Sequence, residues 1–185
     1  MTPGQRTRPS TQELLGGQEF RDTMSQLAAH VTVVTLQDAV GRPYGFTASS
    51  VVSASLDPPL LLLGVSRGSS CIEAISEASE FTVNLLGEGD REVARRFATS
   101  GIDRFAHGDC APWPGHGAPY LPAAMLSARC VKREVIQVGD HDLLVAGLLE
   151  VRTGAPTRPL IWFRRDFHTA ASADAVPNSS GRNGT

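Results

Sequence analysis

Lysine is almost absent from this sequence of 185 residues, in which Lys132 is the single example. A Walker-A phosphate loop and a Schiff-base mechanism both depend on a lysine at a defined place, so neither is predicted elsewhere in the chain. Basic residues number 17 and acidic residues 19, which gives a formal net charge of −2. Because no basic excess exists to neutralise a phosphate backbone, nucleic acid is excluded as an expected partner.

Cysteine and long apolar runs are also scarce. Cys71, Cys110 and Cys130 are widely spaced and include no CxxC pair, which predicts free thiols in a reducing compartment rather than a disulfide framework. Residues 1–17 lack the apolar core of a signal peptide. The longest apolar run, residues 58–65, is too short to cross a bilayer. We therefore expect a cytoplasmic protein that does not enter the membrane.

Three kinds of functional motif are missing as well. The nearest approach to GxGxxG, residues 87–92, lacks the third glycine, which excludes a Rossmann nucleotide site. A GxSxG nucleophile elbow does not occur, which argues against a serine hydrolase. His107, Cys110 and His116 are donor types that zinc accepts, but their spacing fits no standard zinc pattern and a fourth ligand is missing. No metal site is predicted.

The composition that remains is that of a globular domain, with 41% hydrophobic and 19% charged residues. Both ends are small, polar and poor in apolar surface, so we expect disordered tails over residues 1–17 and 169–185. Between them, residues 18–168 form one block without an obvious linker or repeat. The chain is therefore predicted to be a single domain with two loose ends.

Hydrophobic periodicity predicts more strands than helices in this block. Helical spacing occurs at residues 20–28, 71–78 and 90–98, with Ser69 or Ser70 placed to cap the second helix. The segments with strand character are 31–36, 44–56, 60–65, 81–86, about 128–138, about 142–152 and 160–167. This pattern predicts a mainly β fold, a closed antiparallel barrel with a few helices at its rim.

Two polar segments are candidates for binding a ligand. Residues 45–50, followed by Ser53, are rich in hydroxyl groups and small side chains. They could bring backbone N–H groups close to a flat polar ligand, or they could form a solvent-facing strand. Residues 67–70 combine a guanidinium, two hydroxyls and a glycine. They are compatible with a phosphate cradle and equally with a plain helix cap beside a surface arginine.

Aromatic and histidine side chains leave two further alternatives open. Residues 139–142 begin with Gly-Asp, which is ordinary hairpin chemistry. His141 in this turn is either solvated or faces a pocket, where it could hydrogen-bond to a ligand and titrate near neutrality. Trp162 and Phe167 are interpreted as core residues, although either could flank a ring-shaped ligand.

Taken in order, the motifs resemble one family, the short-chain NAD(P)H:flavin oxidoreductases, which are the reductase components of two-component flavin-dependent monooxygenases. The similarity covers about residues 18–168 and is concentrated in short segments. These segments are Phe20-Arg21, 31–35, 45–50, 53–59, 81–86, 96–98, 139–141, Gly147 and 159–161.

The resemblance implies an FMN-binding split barrel, usually a homodimer with flavin near the subunit interface. The residues that it assigns to flavin are Thr47, Ala48, Ser49 and Ser50 at the isoalloxazine ring with Ser53 nearby, and Ser66, Ser69, Ser70 and Arg104 at the phosphate end. His141 is implied to contact the nicotinamide nucleotide. The chain departs from many members at Cys71, where they have threonine, a better hydrogen-bonding group.

The resemblance also implies a chemistry in which hydride passes from nicotinamide C4 of NADH or NADPH to N5 of FAD or FMN. The protein then needs to orient two rings and requires no catalytic acid, base or nucleophile of its own. Reduced flavin would feed a partner monooxygenase. Two alternatives remain open: a non-catalytic flavin- or haem-binding protein, and an oxidase of the pyridoxamine-phosphate type. The second requires a cluster of Arg and Lys for the substrate phosphate.

Overall fold

The computed structural model describes residues 14–170, and the rest of the two predicted tails, 1–13 and 171–185, lies outside them. In chain order the elements are α1 (Gly17–Met24), β1 (Ala29–His30), β2 (Thr32–Gln37), β3 (Pro43–Ala48), β4 (Val52–Ser55), β5 (Leu60–Ser66), α2 (Ile72–Glu77), β6 (Glu80–Leu85), α3 (Arg91–Ala98), β7 (Ala111–Pro112), β8 (Pro119–Tyr120), β9 (Leu126–Val138), β10 (His141–Thr153), β11 (Leu160–Phe163) and β12 (Asp166–Thr169). The predicted mainly β fold is confirmed.

One seven-stranded antiparallel sheet organises the domain, in the order β3-β2-β6-β9-β10-β5-β4. β3 and β4 are neighbours in sequence but lie at opposite edges of the sheet, so the predicted strand 44–56 is in fact two strands. Residues 49–51 make the crossing between the edges. Within the described chain the two edges do not pair with each other. The closed barrel expected from periodicity is therefore wrong, and the split barrel implied by the resemblance is confirmed.

The core forms two clusters, one on each side of β2. Val34 belongs to the cluster inside the barrel, together with Phe81 and Leu144. Val33 belongs to the second cluster, which lies between the sheet, α3 and β11 and includes Phe97. Because successive side chains of a strand point to opposite faces, a strand buried on both faces reads as a continuous apolar run.

Buried hydrogen bonds attach the irregular segment after α3 to the sheet. The side-chain amide of Asn84 donates to Thr35 Oγ1 at 3.0 Å, and its carbonyl accepts from the Leu121 N–H at 2.9 Å and the Ser127 hydroxyl at 2.8 Å. Asn84 is fully buried. A buried amide with both ends bonded fixes the orientation of the loop that it joins.

The predicted strand 160–167 is a hairpin, β11–β12, and its turn consists of Arg164 and Arg165. Both residues have left-handed backbone, with φ of 50° and 64°. Glycine and asparagine are the usual residues at such positions, so the sequence carries no turn signal here. The Arg164 N–H donates to the carbonyl of Ser25 at 2.8 Å, which anchors the turn against the segment after α1.

The helices are short and differ in burial. α3 buries Ala94 and Phe97, whereas α1 buries none of its residues and leaves Phe20 56% exposed. α1 ends at Met24, so the helix predicted over 20–28 is shorter than its apolar spacing implied. Among residues 14–170, no helix is long and apolar enough to cross a membrane.

Candidate functional site

A cleft of about 510 Å³ lies at the split of the barrel, between the end of β3, the turn after β5 and the residues that follow α3. We call it the hydroxyl cleft. The predicted site residues that line it are Thr47, Ala48, Ser49, Ser50, Ser66, Ser69, Ser70, Arg104 and His141. Phe97, Ala98 and Ser100 line it as well and were not predicted. Five separate parts of the sequence therefore meet at one surface.

Ser53 is the predicted site residue that does not line the hydroxyl cleft. It lies on β4, pairs with Leu61 of β5 and is exposed. The crossing at residues 49–51 carries the chain to the other edge of the sheet before Ser53 is reached. Its assignment near the flavin ring has no geometric support.

Two hydroxyls of the cleft tie its walls together. Thr47 Oγ1 donates to the carbonyl of Ala94 at 2.7 Å, which links β3 to α3. Ser50 Oγ donates to the carbonyl of Gly64 at 2.9 Å and accepts from the N–H of the same residue at 3.2 Å, which holds the crossing segment against β5. Because each hydroxyl oxygen has two lone pairs, both groups keep an acceptor site for a ligand.

The turn after β5 presents hydroxyl groups as donors. Ser66 Oγ accepts from the Gly68 N–H and Ser69 Oγ accepts from the Cys71 N–H, both at 3.2 Å. As acceptors in these bonds, both hydroxyls keep their protons to donate to an anion. The helix cap predicted at Ser69 or Ser70 is wrong, because Cys71 precedes α2 and no side chain caps it.

Arg104 supplies the fixed positive charge of the cleft. Its Nε donates to the carbonyl of Thr99 at 2.9 Å, and its Nη1 donates to the carbonyl of Gly45 at 2.7 Å. Within residues 14–170, Nη2 has no hydrogen-bond partner. A guanidinium held by two of its nitrogens keeps the third in place for a phosphate oxygen.

His141 lies on the open rim, at the start of β10 and opposite Ser66 of β5. Its Nδ1 is 2.8 Å from Oδ1 of Asp140, and its side chain is 49% exposed. The hydrogen bond from His141 is the largest cause of the lowered pKa of the Asp140 carboxyl. With Nδ1 donating to the carboxylate, a neutral imidazole presents Nε2 as an acceptor to a ligand above the cleft.

A second cleft, of about 590 Å³, shares Thr47, Ala48, Ser49 and Ala98 with the first. We call it the aromatic cleft, because Trp162 and Phe167 form one side with their ring centroids 5.0 Å apart. Both rings are half-buried, so they combine packing on the core with a surface open to a ligand. Arg95 and Arg165 also line it. Neither arginine carries a sequence signal of a binding role.

Groups for nucleophilic or metal-assisted catalysis do not converge on either cleft. Burial raises the pKa of the Cys110 thiol to about 11 and that of Cys130 to about 12, so both are neutral thiols at pH 7. Within residues 14–170, no group of three or more His, Cys, Asp or Glu side chains is placed to hold a metal ion. The groups that line the clefts are aromatic rings, hydroxyls and guanidinium groups, which suit contacts with a flat, anionic molecule.

Residues 24–171 match the flavin reductase like domain family. The chain belongs to this family. A curated relative, the NADH:riboflavin 5′-phosphate oxidoreductase of Streptomyces pristinaespiralis, is 56% identical and aligns over 84% of this chain and 89% of its own length. The family predicted from the short motifs is thus confirmed.

Two solved structures place the fold among flavin reductases. An NADH:FAD oxidoreductase of Streptomyces globisporus C-1027, solved in complex with NAD and FAD fragments, has a TM-score of 0.79 and 26% identity, covering 89% of this chain and 99% of its own. The flavin reductase component of a bacterial two-component tryptophan halogenase has a TM-score of 0.77 and 27% identity, covering 85% and 99%.

Cys71, where many flavin reductases of this family have threonine, does not line the hydroxyl cleft. It is buried, its thiol donates to the carbonyl of Gly45 at 3.5 Å, and Nη1 of Arg104 lies 3.4 Å from its sulfur. In the hydroxyl cleft, the departure therefore changes the packing behind Arg104.

Proposed function

We propose that this chain is an NADH-dependent flavin reductase that binds FMN or FAD across the two clefts. The observation that carries the proposal is their shared wall at Thr47, Ala48 and Ser49, which joins a hydroxyl-lined compartment to an aromatic one. A flavin has the same division, with a flat apolar ring at one end and a polyol phosphate at the other. When bound, NADH and flavin supply the hydride donor and acceptor.

The residues that line the two clefts bind different parts of the flavin. Ser66, Ser69 and Arg104 offer donors to the phosphate, and the wall at Thr47–Ser49 lies against the ring. Trp162 and Phe167 cover the apolar edge of the ring in the aromatic cleft. Because the reaction requires two rings in contact, orientation and exclusion of water are the protein's contribution.

His141 is proposed to contact the nicotinamide nucleotide from the open rim of the hydroxyl cleft. Its exposure and the anchored Nδ1 support this role, since a half-exposed imidazole fixed at one nitrogen can meet a ligand that arrives from solvent. The name of the Streptomyces pristinaespiralis relative supports NADH as the nucleotide and FMN as a flavin.

Exposed apolar side chains support a homodimer with flavin near its interface. β9 exposes Val135, Ile136 and Val138 (41%, 40% and 54%), and its partner strand β10 exposes Leu148, Leu149 and Val151 (36%, 45% and 48%). Groups of large apolar residues on a surface mark protein–protein contacts. The likeness to the halogenase reductase, a component of a two-component system, supports a partner oxygenase that receives reduced flavin. The free thiols of all three cysteines support a cytoplasmic location.

The experiment follows NADH absorbance with the purified full chain, first alone and then with FMN, FAD or riboflavin. We expect oxidation that depends on added flavin and saturates with its concentration. Flavin or haem binding without NADH or NADPH oxidation would instead support the non-catalytic alternative. Oxidation of pyridoxamine phosphate with oxygen would support the oxidase alternative.

A further inference from the structure

The thiol of Cys71 joins two segments of the chain behind the hydroxyl cleft. Cys71 precedes α2, is 2% exposed and lines neither of the two clefts. Its Sγ donates to the carbonyl of Gly45 on β3 at 3.5 Å and accepts from Nη1 of Arg104 at 3.4 Å. The same Nη1 donates to the Gly45 carbonyl at 2.7 Å. The three groups therefore form a closed triangle of polar contacts.

The Gly45 corner of this triangle is held by packing. A Cβ added at Gly45 would lie 2.7 Å from the ring of Phe97 and 3.0 Å from the carbonyl oxygen of Val34, so β3 and α3 are in direct contact there. Because β3 is an edge strand, part of its backbone has no neighbouring strand to pair with. A carbonyl oxygen has two lone pairs, so that of Gly45 can accept from the thiol and the guanidinium together.

Arg104 depends on the triangle for its orientation. Within residues 14–170 it forms no ion pair. Its Nε is fixed by the carbonyl of Thr99, and its Nη1 is shared between Gly45 and Cys71. Since a guanidinium is planar and rigid, the partners of Nε and Nη1 determine the direction of the free Nη2. Removal of the thiol would take away one of the two partners of Nη1.

We propose that Cys71 is a positioning residue that orients Arg104 toward the flavin phosphate and so determines how strongly the site distinguishes FMN from riboflavin. This inference rests on the proposed function, which places the phosphate at Arg104. Cys71 acts through Arg104 and does not touch the flavin. Loss of its contacts therefore weakens the binding of FMN and leaves riboflavin, which has no phosphate, nearly unaffected.

The test compares Cys71→Val with Cys71→Thr, because valine and threonine have similar volume and only threonine carries a hydroxyl that can donate to Gly45 and accept from Arg104. Calorimetry without NADH measures the dissociation constants of FMN and riboflavin for the purified full chain. In Cys71→Val we expect a roughly three- to tenfold rise for FMN, as for the loss of one hydrogen bond, and a change within about twofold for riboflavin. Cys71→Thr should restore most of the FMN affinity, and an equal loss in both variants would overturn the inference.

Cys130→Val is the matched control for the loss of a buried thiol. Cys130 belongs to the same core cluster as Cys71, and its thiol also donates to a backbone carbonyl, that of Ala128, at 3.5 Å. It lines neither cleft. The ratio of the FMN to the riboflavin dissociation constant should stay within about twofold of that of the unmodified chain. A change in this ratio as large as that of Cys71→Val would assign the effect to a loosened core and reject the positioning role.

A double variant shows whether Cys71 acts through Arg104. Residues that act through one another have effects that do not add. In a chain that already carries Arg104→Ala, we therefore expect Cys71→Val to change the FMN dissociation constant by no more than about twofold. Fully additive losses would mean that Cys71 affects FMN independently of Arg104, which contradicts the proposal.

The positioning role and the proposed function fail separately, because calorimetry requires no turnover. A loss specific to FMN in Cys71→Val, in a protein that does not oxidise NADH, would support the positioning role and reject the reductase. Flavin-dependent NADH oxidation with an FMN-to-riboflavin ratio that Cys71→Val leaves unchanged would reject the positioning role and support the reductase. Failure to bind either flavin would overturn both.

Discussion

The hydroxyl cleft and the aromatic cleft share a wall, yet they are built in opposite ways. Most hydroxyl groups of the hydroxyl cleft come from two short segments, 45–50 and 66–70, and in the second segment Ser66 and Ser69 accept from backbone N–H groups two residues away. The aromatic cleft combines Val31, Ala94 and the β11–β12 hairpin, which are distant in sequence. Most hydroxyl groups of the hydroxyl cleft thus lie on short segments that sequence patterns can show, although Arg104 and His141 reach it only through the fold, whereas the aromatic cleft depends entirely on contacts between distant segments.

This difference predicts that substitutions in the two clefts will change the binding of the three flavins in different ways. Riboflavin, FMN and FAD share the ring, but only FMN and FAD carry phosphate. A change at the phosphate end of the hydroxyl cleft should therefore discriminate among the three flavins, and a change in the aromatic cleft or in the wall that the two clefts share should affect all three alike. Substitutions in the two clefts test this distinction.

The largest effect is expected for Arg104→Ala in the hydroxyl cleft. A hydrogen bond to a charged group is worth about 1.5–3 kcal/mol, so the KM for FMN should rise roughly 10- to 100-fold. The KM for riboflavin should change much less, because riboflavin has no phosphate. Both constants are measured from NADH absorbance at saturating NADH.

Arg67→Ala is the matched control for that variant. Arg67 lies in the turn after β5, beside Ser66, and pairs with Asp142 at 2.8 Å, but it does not line the hydroxyl cleft. Its removal should leave both flavin constants within about twofold, as expected for an exposed ion pair. Equal losses for riboflavin and FMN in Arg104→Ala would show that Arg104 acts only as a scaffold for Gly45 and Thr99.

Phe167→Ala tests the aromatic cleft. Loss of an aromatic contact costs about 1–2 kcal/mol, so we expect the KM for riboflavin, FMN and FAD to rise by one common factor, roughly five- to thirtyfold. Phe163→Ala is the control, because Phe163 lies on the same hairpin, contacts His168 and lines neither cleft. A factor that differs among the flavins would contradict the distinction between the clefts.

His141→Ala should separate the nucleotide from the flavin. One hydrogen bond to a neutral group contributes about 1 kcal/mol, so the KM for NADH should rise about fivefold while flavin constants hold. His168→Ala is the control, since His168 is exposed on β12 and lines neither cleft. Unchanged NADH kinetics in His141→Ala would remove His141 from the nucleotide site.

How far the sequence predicts this molecule follows from the same contrast. Local patterns predicted β5, α3 and the β9–β10 hairpin closely, because each has a clear period and clear ends. Local patterns also identified the hydroxyl-rich segments 45–50 and 67–70 as candidates for binding a ligand, and the resemblance to the family assigned residues in them to flavin. The resemblance implied a split barrel, whereas periodicity alone predicted a closed one.

Other features had no local signal to find. The turn at Arg164 and Arg165 uses neither glycine nor asparagine, and its left-handed backbone is held by a contact with Ser25. The buried amide of Asn84 reads in sequence as one polar residue in an apolar strand. From the sequence, Trp162 and Phe167 could be core residues or ligand contacts; the folded chain makes both rings half-buried, packed on the second core cluster and lining the aromatic cleft.

Ser50 and Ser53 give the smallest and most local test. They look equivalent in sequence and both are exposed, but Ser50 makes two hydrogen bonds to Gly64 of β5, whereas the side chain of Ser53 makes none to residues 14–170. Ser50→Ala should lower the free energy of unfolding by about 1 kcal/mol, the value of a typical hydrogen bond. Ser53→Ala should stay within about 0.5 kcal/mol, as for most surface substitutions.

Urea denaturation of both variants measures this difference, and flavin kinetics extend it to the site. If the two hydrogen bonds of Ser50 to Gly64 hold the shared wall in place, Ser50→Ala should also raise the KM of all three flavins by one small factor, because we propose that this wall lies against the ring in each of them. Ser53→Ala should change none of them. A loss of flavin affinity in Ser53→Ala that matches Ser50→Ala would return Ser53 to the ring site and require β4 to approach the cleft when flavin binds.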